Sequence, residues 1–437
     1  MTTQMIFTVF LLLDATVYSV AGTHMPPTQQ DLVQIEKDLE KILNENIVPF
    51  WHPGMIDVEH GGYKLNHDVR GNWGGPSDKH IVTQARTVWF FSRLAGSKYG
   101  TEEHIQAAKH GYKFLRDKMW DKEFGGFYWS VDSAGSKATT PRKHLYGQSF
   151  GLYALSEYAI ASGDPDAKSL ARELFNILEF RAHDSIYGGY RESFLRDWSI
   201  PPEGDSSSMG SGPSIKLMNT HLHLMEAMTT YYLATRDPVA RERLVELIFI
   251  QSNSVVRKTI GACTDKYQLD WTPLHGPNFD RVSYGHDIEN VWLLMEACSA
   301  AGITDGPLAD LYRTAFDYSL RYGYDSTNGG FYDYGPINAA ADRRQKVWWV
   351  QAECMVSALD MYCLTRDTLY FDCFSKTLDW IMKHHVDWGN GDWFSSISES
   401  GEISGSKAGA WKSPYHNGRA VIQCLELLDR LLVNSDQ

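Results

Sequence analysis

The sequence predicts an all-α fold, an (α/α)6 barrel of six helical hairpins with short β-hairpin decorations at one rim. Three observations support this prediction. A glycine-rich turn recurs six times, the segments between the turns have helical apolar periodicity, and no Pro- or Ser-rich linker divides the chain. We therefore expect one barrel domain over residues 25–437.

The repeat begins with a Gly-Gly-aromatic turn that is followed by a short polar and aromatic stretch. Successive turns are 62 to 73 residues apart, which leaves room for two helices and one long loop in each unit. The clear copies begin at Gly61, Gly125, Gly188 and Gly329, and degraded copies begin at Gly261 and Gly391.

Between the turns, apolar residues recur at intervals of three and four, which is typical of amphipathic helices. The turns themselves open alternating stretches that are typical of hairpin strands. Six helical hairpins whose inner faces must all be buried can close into a ring, and closure removes the need for capping units. The predicted helical stretches include 83–94, 147–160, 221–233 and 350–364.

Residues 1–24 are predicted to lie outside the barrel as a signal-like or non-native segment. An apolar run at 5–13 precedes a Ser-Val-Ala triplet at 19–21 that resembles a signal cleavage site, but no Lys or Arg comes before the run. The run is too short to span a bilayer, so no membrane partner is expected. The protein is secreted or periplasmic if residues 1–21 are cleaved, and cytoplasmic if Met25 is the true start.

Composition restricts the partners of the protein. A formal net charge of −13 argues against nucleic acid, because binding to phosphates is driven by Lys and Arg. Aromatic residues make up 13% of the chain, and flat rings suit a pocket that covers the C–H faces of a sugar, although they also fill cores. We expect a small-molecule partner and a monomer or weak homodimer.

Chemically active side chains recur 20 to 35 residues after the glycine of each turn. In a six-fold ring, equal offsets place residues at equal height, so these side chains should face one pocket at one rim. Each alone has an ordinary structural explanation, but a core should not collect so many polar groups at one level unless they are used. The set contains Arg86, Tyr146, Asn219, His223, His286, Glu289, Trp349, Glu353 and His416.

Three histidines and one arginine suit proton transfer at a carbon next to a carbonyl group. Abstraction of such a proton produces an enediolate, whose negative charge the guanidinium of Arg86 can stabilise. Bases on opposite faces of the substrate would remove the proton from one side and return it on the other. This would invert the stereocentre.

Other classes of function compete with this prediction. A metal enzyme is disfavoured because the chain has His-x-x-Glu where di-iron bundles have Glu-x-x-His, and no acidic loop offers a Ca²⁺ or Mg²⁺ site. A glycoside hydrolase needs two carboxylates, which Glu226, Glu289 and Glu353 can supply, but it has no obvious use for three histidines. A carbohydrate-binding protein without turnover is the third alternative.

Five motifs resemble the N-acylglucosamine 2-epimerase superfamily: "TQARTVWFFSRL", "NTHLHLMEA", "YGHDIENVWLL", "KVWWVQAE" and "WKSPYHNGRA". The resemblance extends from about residue 45 to residue 430, and the five motifs lie in order within this range. "SYGHDIE", "WWVQAE" and "PYHNGR" are more similar to the disaccharide branch. The resemblance implies an (α/α)6 barrel and reversible epimerisation at C2 of the reducing-end glucose in β-1,4 disaccharides such as cellobiose or lactose, with no cofactor and no metal.

The same resemblance implies roles for individual residues. His286 and His416 are expected to exchange the C2 proton, Arg86 and His223 to steady the enediolate, and Asn219 to hold sugar hydroxyls.

The remaining members of the expected site contact the sugar. Trp349 and Trp411 are expected to stack on sugar rings, Glu289 and Glu353 to bind hydroxyls and orient the histidines, and Tyr146 is a weaker match. A mannose-type aldose–ketose isomerase and an N-acylglucosamine 2-epimerase remain alternatives within the superfamily.

Overall fold

The computed structural model describes residues 25–205 and 207–435. The predicted N-terminal segment 1–24 lies outside these residues. Within them, no helix is both long and apolar enough to cross a membrane. The α-helices are α1 (Gln29–Lys41), α2 (Val48–Trp51), α3 (Ile81–Ala95), α4 (Glu102–Phe114), α5 (Leu145–Ser162), α6 (Pro165–Arg181), α7 (Met218–Thr235), α8 (Pro238–Phe249), α9 (Tyr284–Ala301), α10 (Ala309–Gly323), α11 (Trp348–Thr365), α12 (Thr368–Trp380) and α13 (Tyr415–Ser435).

Six helices form a closed inner ring. Helices α3, α5, α7, α9, α11 and α13 each pack against the next, and α13 packs against α3. Helices α1, α4, α6, α8, α10 and α12 form an outer layer, in which α1 covers α13 and each of the others covers the inner helix before it. Inner helices such as α5 are buried on nearly every side, whereas outer helices such as α10 bury one face. The predicted (α/α)6 barrel is confirmed.

Four inner helices begin two or three residues earlier than the apolar periodicity predicted. The reason is local: the residue before each of these helices has extended backbone and belongs to a short strand, so the helix starts where strand pairing ends. Apolar spacing does not detect this boundary. The observed first residues are Ile81, Leu145, Met218 and Trp348.

The strands form six small antiparallel sheets, in the orders β1-β2-β3, β4-β5, β6-β9, β7-β8, β10-β11 and β12-β13-β14. In five of the sheets one strand leads directly into the N-terminus of an inner helix, so these sheets decorate one rim of the barrel. Their bounds are β1 (Lys79–His80), β2 (Ser130–Val131), β3 (Ala138–Thr140), β4 (Lys143–His144), β5 (Ser193–Phe194), β6 (Ile215–Leu217), β7 (Val256–Arg257), β8 (Ala262–Cys263), β9 (Lys266–Gln268), β10 (Arg281–Ser283), β11 (Tyr334–Pro336), β12 (Lys346–Val347), β13 (Ser396–Ile397) and β14 (Ile403–Ser404).

Each glycine turn is tied to the inner helix that follows it. In the second unit, the Gln148 side chain on α5 accepts from the backbone N–H of Phe127 and donates to its carbonyl, both at 2.8 Å. Gly126 has φ of 70°, and a Cβ there would lie 2.5 Å from the Trp198 ring, so only glycine fits. Gln84 and Gln351 make the same pair of bonds in other units. His221 and Asp287 accept from the corresponding turn N–H in two further units, so these ties set the height of five inner helices relative to their turns.

Candidate active site

On each inner helix, the side chain two residues after the one equivalent to Gln148 points into the barrel. These side chains contact one another. The inner helices are held at one height by their turns, so this position falls at one level of the lumen in all six units. The side chains at this level are buried, and five of the six are charged or titratable. The six are Arg86, Phe150, His223, Glu289, Glu353 and Arg419.

Arg419, on α13, lies at the centre of this level. Its Nη2 donates to Glu289 at 2.8 Å and to Glu353 at 2.7 Å, and its Nη1 donates to Glu226. The guanidinium also lies 4.6 Å from the centroid of the Trp292 ring. One arginine therefore binds carboxylates from α7, α9 and α11.

The three carboxyl groups are buried around one cation, but their pKa values are shifted in different directions. Burial raises the pKa of Glu226, but the charge of Arg419 and the hydrogen bond to His223 outweigh it and lower the pKa to about 2. Burial and the charge of Glu353 raise the pKa of Glu289 well above its ordinary value. Burial also raises the pKa of Glu353, against the opposing charge of Arg419. Glu226 is thus the carboxylate that stays ionised most readily.

Two histidines are each oriented by a carboxylate. The Nδ1 atom of His416 lies 2.5 Å from Glu353, and Nδ1 of His223 lies 3.1 Å from Glu226. If each Nδ1 carries the proton that it shares with the carboxylate, Nε2 keeps its lone pair. Burial lowers the pKa of both imidazoles, and the charge of Arg86 contributes in each case. Both rings are therefore neutral bases near neutral pH.

His286 lies in the first turn of α9, where its backbone N–H donates to Ser283. Its ring centroid is 4.7 Å from that of Trp349, and the ring of His416 is 5.7 Å from the same tryptophan. Burial, with the charges of His223 and Arg86, lowers the pKa of His286 to about 3. Two neutral imidazoles thus contact one indole.

Arg86 is a cation that makes no ion pair with any described residue. Its Nη2 donates to the Tyr146 hydroxyl at 3.0 Å and its Nη1 to the Trp411 carbonyl at 3.3 Å. The guanidinium lies 4.1 Å from the Phe150 ring centroid and 4.7 Å from that of Tyr415. Aromatic rings therefore support a charge that remains available to an anionic oxygen.

Asn219 and Trp411 lie at the edge of this cluster. The side-chain oxygen of Asn219 is buried and has no hydrogen-bond partner in the described chain, so it is free to accept from a ligand. Trp411 precedes α13 in a loop, is 45% exposed, and has its ring 6.2 Å from that of Tyr146. The ten residues expected from the sequence thus lie on the six inner helices and the adjoining loop.

The model of the N-acylglucosamine 2-epimerase (GlcNAc 2-epimerase) family matches residues 61–420. The chain belongs to this family. It is accordingly an isomerase that acts on carbohydrates. The family predicted from the five motifs and the predicted enzyme class are confirmed.

Relatives and solved structures agree with this membership. A cellobiose 2-epimerase of Bacteroides fragilis is 32% identical over 398 residues, covering 90% of this chain and 98% of the relative. That of Dictyoglomus turgidum is 32% identical over 408 residues, covering 92% and 100%. The structure of cellobiose 2-epimerase from Spirochaeta thermophila has a TM-score of 0.83 at 33% identity, covering 93% and 100%.

A metal ion fits the epimerase site poorly. Among the described residues, one group of His and carboxylate side chains has its ligand atoms within 4.8 Å of one another: Glu289, Glu353 and His416. Both carboxylates of this group already bind the guanidinium of Arg419. A second cation would therefore meet the positive charge of Arg419.

Sequence reasoning missed Arg419 and Tyr415 as members of the site. Tyr415 donates to Glu226 at 2.5 Å and supports the guanidinium of Arg86. A signal was present, because Arg419 follows His416 by three residues on a helix and therefore shares its face. The sequence suggests Glu226 as a hydrolase carboxylate or as part of a His-x-x-Glu metal motif, whereas in the structure it orients His223.

Proposed function

We propose that this epimerase-family enzyme catalyses reversible C2 epimerisation of the reducing-end glucose in β-1,4-linked disaccharides, converting cellobiose to glucosyl-mannose and lactose to epilactose. The observation that carries the proposal is the pair of neutral imidazoles, His286 and His416, against the Trp349 ring. The relatives named as cellobiose 2-epimerases support the choice of substrate.

The reaction begins on the open-chain sugar, whose C1 aldehyde makes the C2 proton acidic. In our mechanism the Nε2 atom of His416 removes this proton, and the electron pair moves through C2–C1 onto O1. Glu353, 2.5 Å from Nδ1, stabilises the imidazolium that forms. The product of this step is an enediolate.

Arg86 and His223 are proposed to stabilise the enediolate. Arg86 makes no ion pair with a described residue, so its charge is not already neutralised when the oxygen becomes anionic. His223 is held by Glu226 and can donate a hydrogen bond through Nε2 once it is protonated. Arg86 is a donor that is in place before the reaction, so it acts without reorganisation when the enediolate forms.

The proton returns to C2 from the opposite face. We assign this step to His286, which takes up a proton from solvent and passes it to C2; its low pKa makes this imidazolium a strong acid. His416 then releases to solvent the proton that it took from C2, so both imidazoles are neutral again, and the reverse reaction uses the two histidines in exchanged roles. No redox step and no cofactor is needed.

Sugar binding is assigned to the remaining residues of the expected site. Asn219 and Glu289 are proposed to bind hydroxyls, and the exposed Trp411 to stack on the second sugar at the mouth of the barrel. Trp349 would stack on the reacting sugar, Glu353 would also contact its hydroxyls, and Tyr146 would hold Arg86 in place. Because every proposed residue comes from one chain, we propose a monomer or weak homodimer.

Proton NMR of the purified protein with cellobiose in D2O, without added metal, tests the proposal. Epimerisation gives a mannose-type reducing-end signal with deuterium at C2. Reprotonation at C1 instead gives a ketose and favours the aldose–ketose isomerase. Free glucose without deuterium at C2 would establish hydrolysis, and an unchanged spectrum would reject cellobiose as substrate.

A further inference from the structure

His286 differs from the other two histidines of the site in its partners. His416 and His223 each have a carboxylate in direct contact with Nδ1. Across the described residues, the ring nitrogens of His286 have no hydrogen-bond partner, and the only bond of the residue beyond its helix comes from its backbone N–H. The tautomer of His286 is therefore not fixed by direct contact with a protein side chain.

A small polar cavity borders the His286 ring. Its empty volume is about 230 Å³ including its opening, and it has room for about one water molecule. Its wall contains the side chains of Asp265, Asp287, Ser283 and Tyr334 beside His286. A polar cavity of this size can hold one ordered water, and such a water can bridge groups that are too far apart for a direct hydrogen bond.

Besides Asp287, one other carboxyl residue, Asp265, lines this cavity. One of its oxygens accepts from the backbone N–H of Asn219 at 3.3 Å, and its other oxygen has no partner within the described part of the chain. Asp265 is only partly buried. Asp287 is fully buried: one of its oxygens accepts from the backbone N–H of Cys263 at 3.1 Å, and the other also has no partner among the described residues. Burial raises the pKa of both groups, and it raises that of Asp287 to about 8, so Asp287 is a neutral acid near pH 7.

We propose that Asp265 is a positioning residue that holds His286 in one tautomer through a single bridging water. With this bridge, all three histidines of the site act with a carboxylate partner. The kinetic consequence rests on the proposed epimerase function, whereas the tautomer does not. Titratable or charged groups that face His286 are Asp265, Asp287, Cys263, Arg281 and Tyr334 on the cavity side, and His223, Arg86 and Glu353 on the lumen side.

The direct test is the tautomer of His286 in the full chain. Long-range ¹H–¹⁵N NMR of ¹⁵N-histidine-labelled protein reports it, and the His286→Asn variant assigns the signals. We expect one fixed tautomer in the wild type and a mixture in Asp265→Asn. Asp333→Asn is the matched control, because Asp333 occupies the same position in the next glycine turn but does not line the cavity. It should leave the tautomer unchanged.

The kinetic test measures kcat and KM separately. If the proposed function holds, Asp265→Asn lowers kcat about tenfold with little change in KM, because orientation of the base is lost while sugar contacts remain. An unchanged tautomer in Asp265→Asn overturns the proposal, whatever the rate. A chain that shows no epimerisation at all refutes the proposed function but leaves the tautomer measurement valid.

A crystal structure of the wild-type protein decides the question if Asp265→Asn fails to fold. An ordered water within hydrogen-bond distance of both His286 and Asp265 supports the proposal. A dry cavity, or a water that contacts Asp287 and not Asp265, overturns it.

Discussion

Burial makes the three histidines of the site bases at neutral pH, because an imidazolium in the lumen has lost most of its hydration. Carboxylates at Nδ1 of His416 and His223 then fix the orientation of the two rings. Because the rings are neutral, these contacts are hydrogen bonds and not permanent ion pairs. These features describe groups that accept and return a proton during turnover and are neutral between turnovers.

Replacing His416 by Asn tests its role as the base. We expect turnover of cellobiose to fall by about 10²–10⁴-fold, because general acid–base catalysis contributes this much. Binding, measured by calorimetry, should persist because the proposed hydroxyl and stacking contacts remain. The control is His275→Asn, an exposed histidine that bonds Asp280 and should keep full activity. A loss below tenfold in His416→Asn would exclude this residue as the base.

The charge of Arg86 should affect the position of the acidic limb in the pH profile of kcat/KM. Burial is the largest cause of the low pKa of His286 and His416, and the charge of Arg86 lowers both pKa values further. Removing the charge in Arg86→Gln therefore raises both pKa values, so the bases become protonated at higher pH and the acidic limb of kcat/KM moves to higher pH. Measuring kcat/KM from acidic to neutral pH gives the position of this limb.

Arg86→Lys is the matched control for that shift. It keeps the positive charge but loses the planar donors that contact Tyr146 and the Trp411 carbonyl. The rate should fall in both variants, while the limb moves only in Arg86→Gln. A limb that moves equally in both would show that geometry, and not charge, sets the pKa of the histidines.

The site residues could be predicted one at a time from motifs, but their partners could not. His416 and Glu353 each stand out in the sequence, yet 63 residues separate them, and only the closed ring brings them to 2.5 Å. Arg419 was missed because its three carboxylate partners lie 66 to 193 residues away. The role of a buried arginine depends on the charged groups around it, and the sequence alone does not show which groups these are.

At the level of elements, the glycine turns position the inner helices. Gln84, Gln148 and Gln351 each hold the backbone of the turn before them by two hydrogen bonds. The six-fold repeat was predictable because a tight turn needs glycine and leaves a clear sequence signal. The helix starts were less predictable, because they depend on strand pairs formed between neighbouring units.

Gln148→Leu tests this tie. The substitution leaves the buried N–H and carbonyl of Phe127 without partners, and each unsatisfied group costs about 1–3 kcal/mol. We expect the free energy of unfolding, measured with urea by circular dichroism, to fall by about 2–4 kcal/mol. Gln106→Leu, on the exposed side of α4, should change it by less than about 0.5 kcal/mol. Equal effects would show that the tie contributes no special stability.

At the level of the whole molecule, closure of the ring places α13 beside α3, so the last helix completes the site that the first inner helix begins. Arg419 on α13 binds carboxylates on α7, α9 and α11, and therefore joins four of the six inner helices across the lumen. The same residues that carry the proposed chemistry thus also hold the barrel together, which predicts that stability and the charge of the site change together with pH.

Arg419→Met tests this link between the charge of the site and the stability of the barrel. It leaves three buried carboxylates without their cation, so we expect the free energy of unfolding at neutral pH to fall by about 3–5 kcal/mol.

In the wild type, the pKa of Glu226 is lowered to about 2, so its ionised form stabilises the fold above its ordinary pKa, and this contribution is lost on acidification. Without Arg419 the pKa of Glu226 rises, and protonation at lower pH relieves the repulsion among the buried carboxylates. The loss in the free energy of unfolding relative to the wild type, measured with urea, should therefore be smaller at about pH 5 than at about pH 7. Arg93→Met is the control: its partly exposed pair with Glu426 at 2.6 Å is worth about 1 kcal/mol or less. A deficit in Arg419→Met that is independent of pH would show that packing of the side chain, and not its charge, stabilises the ring.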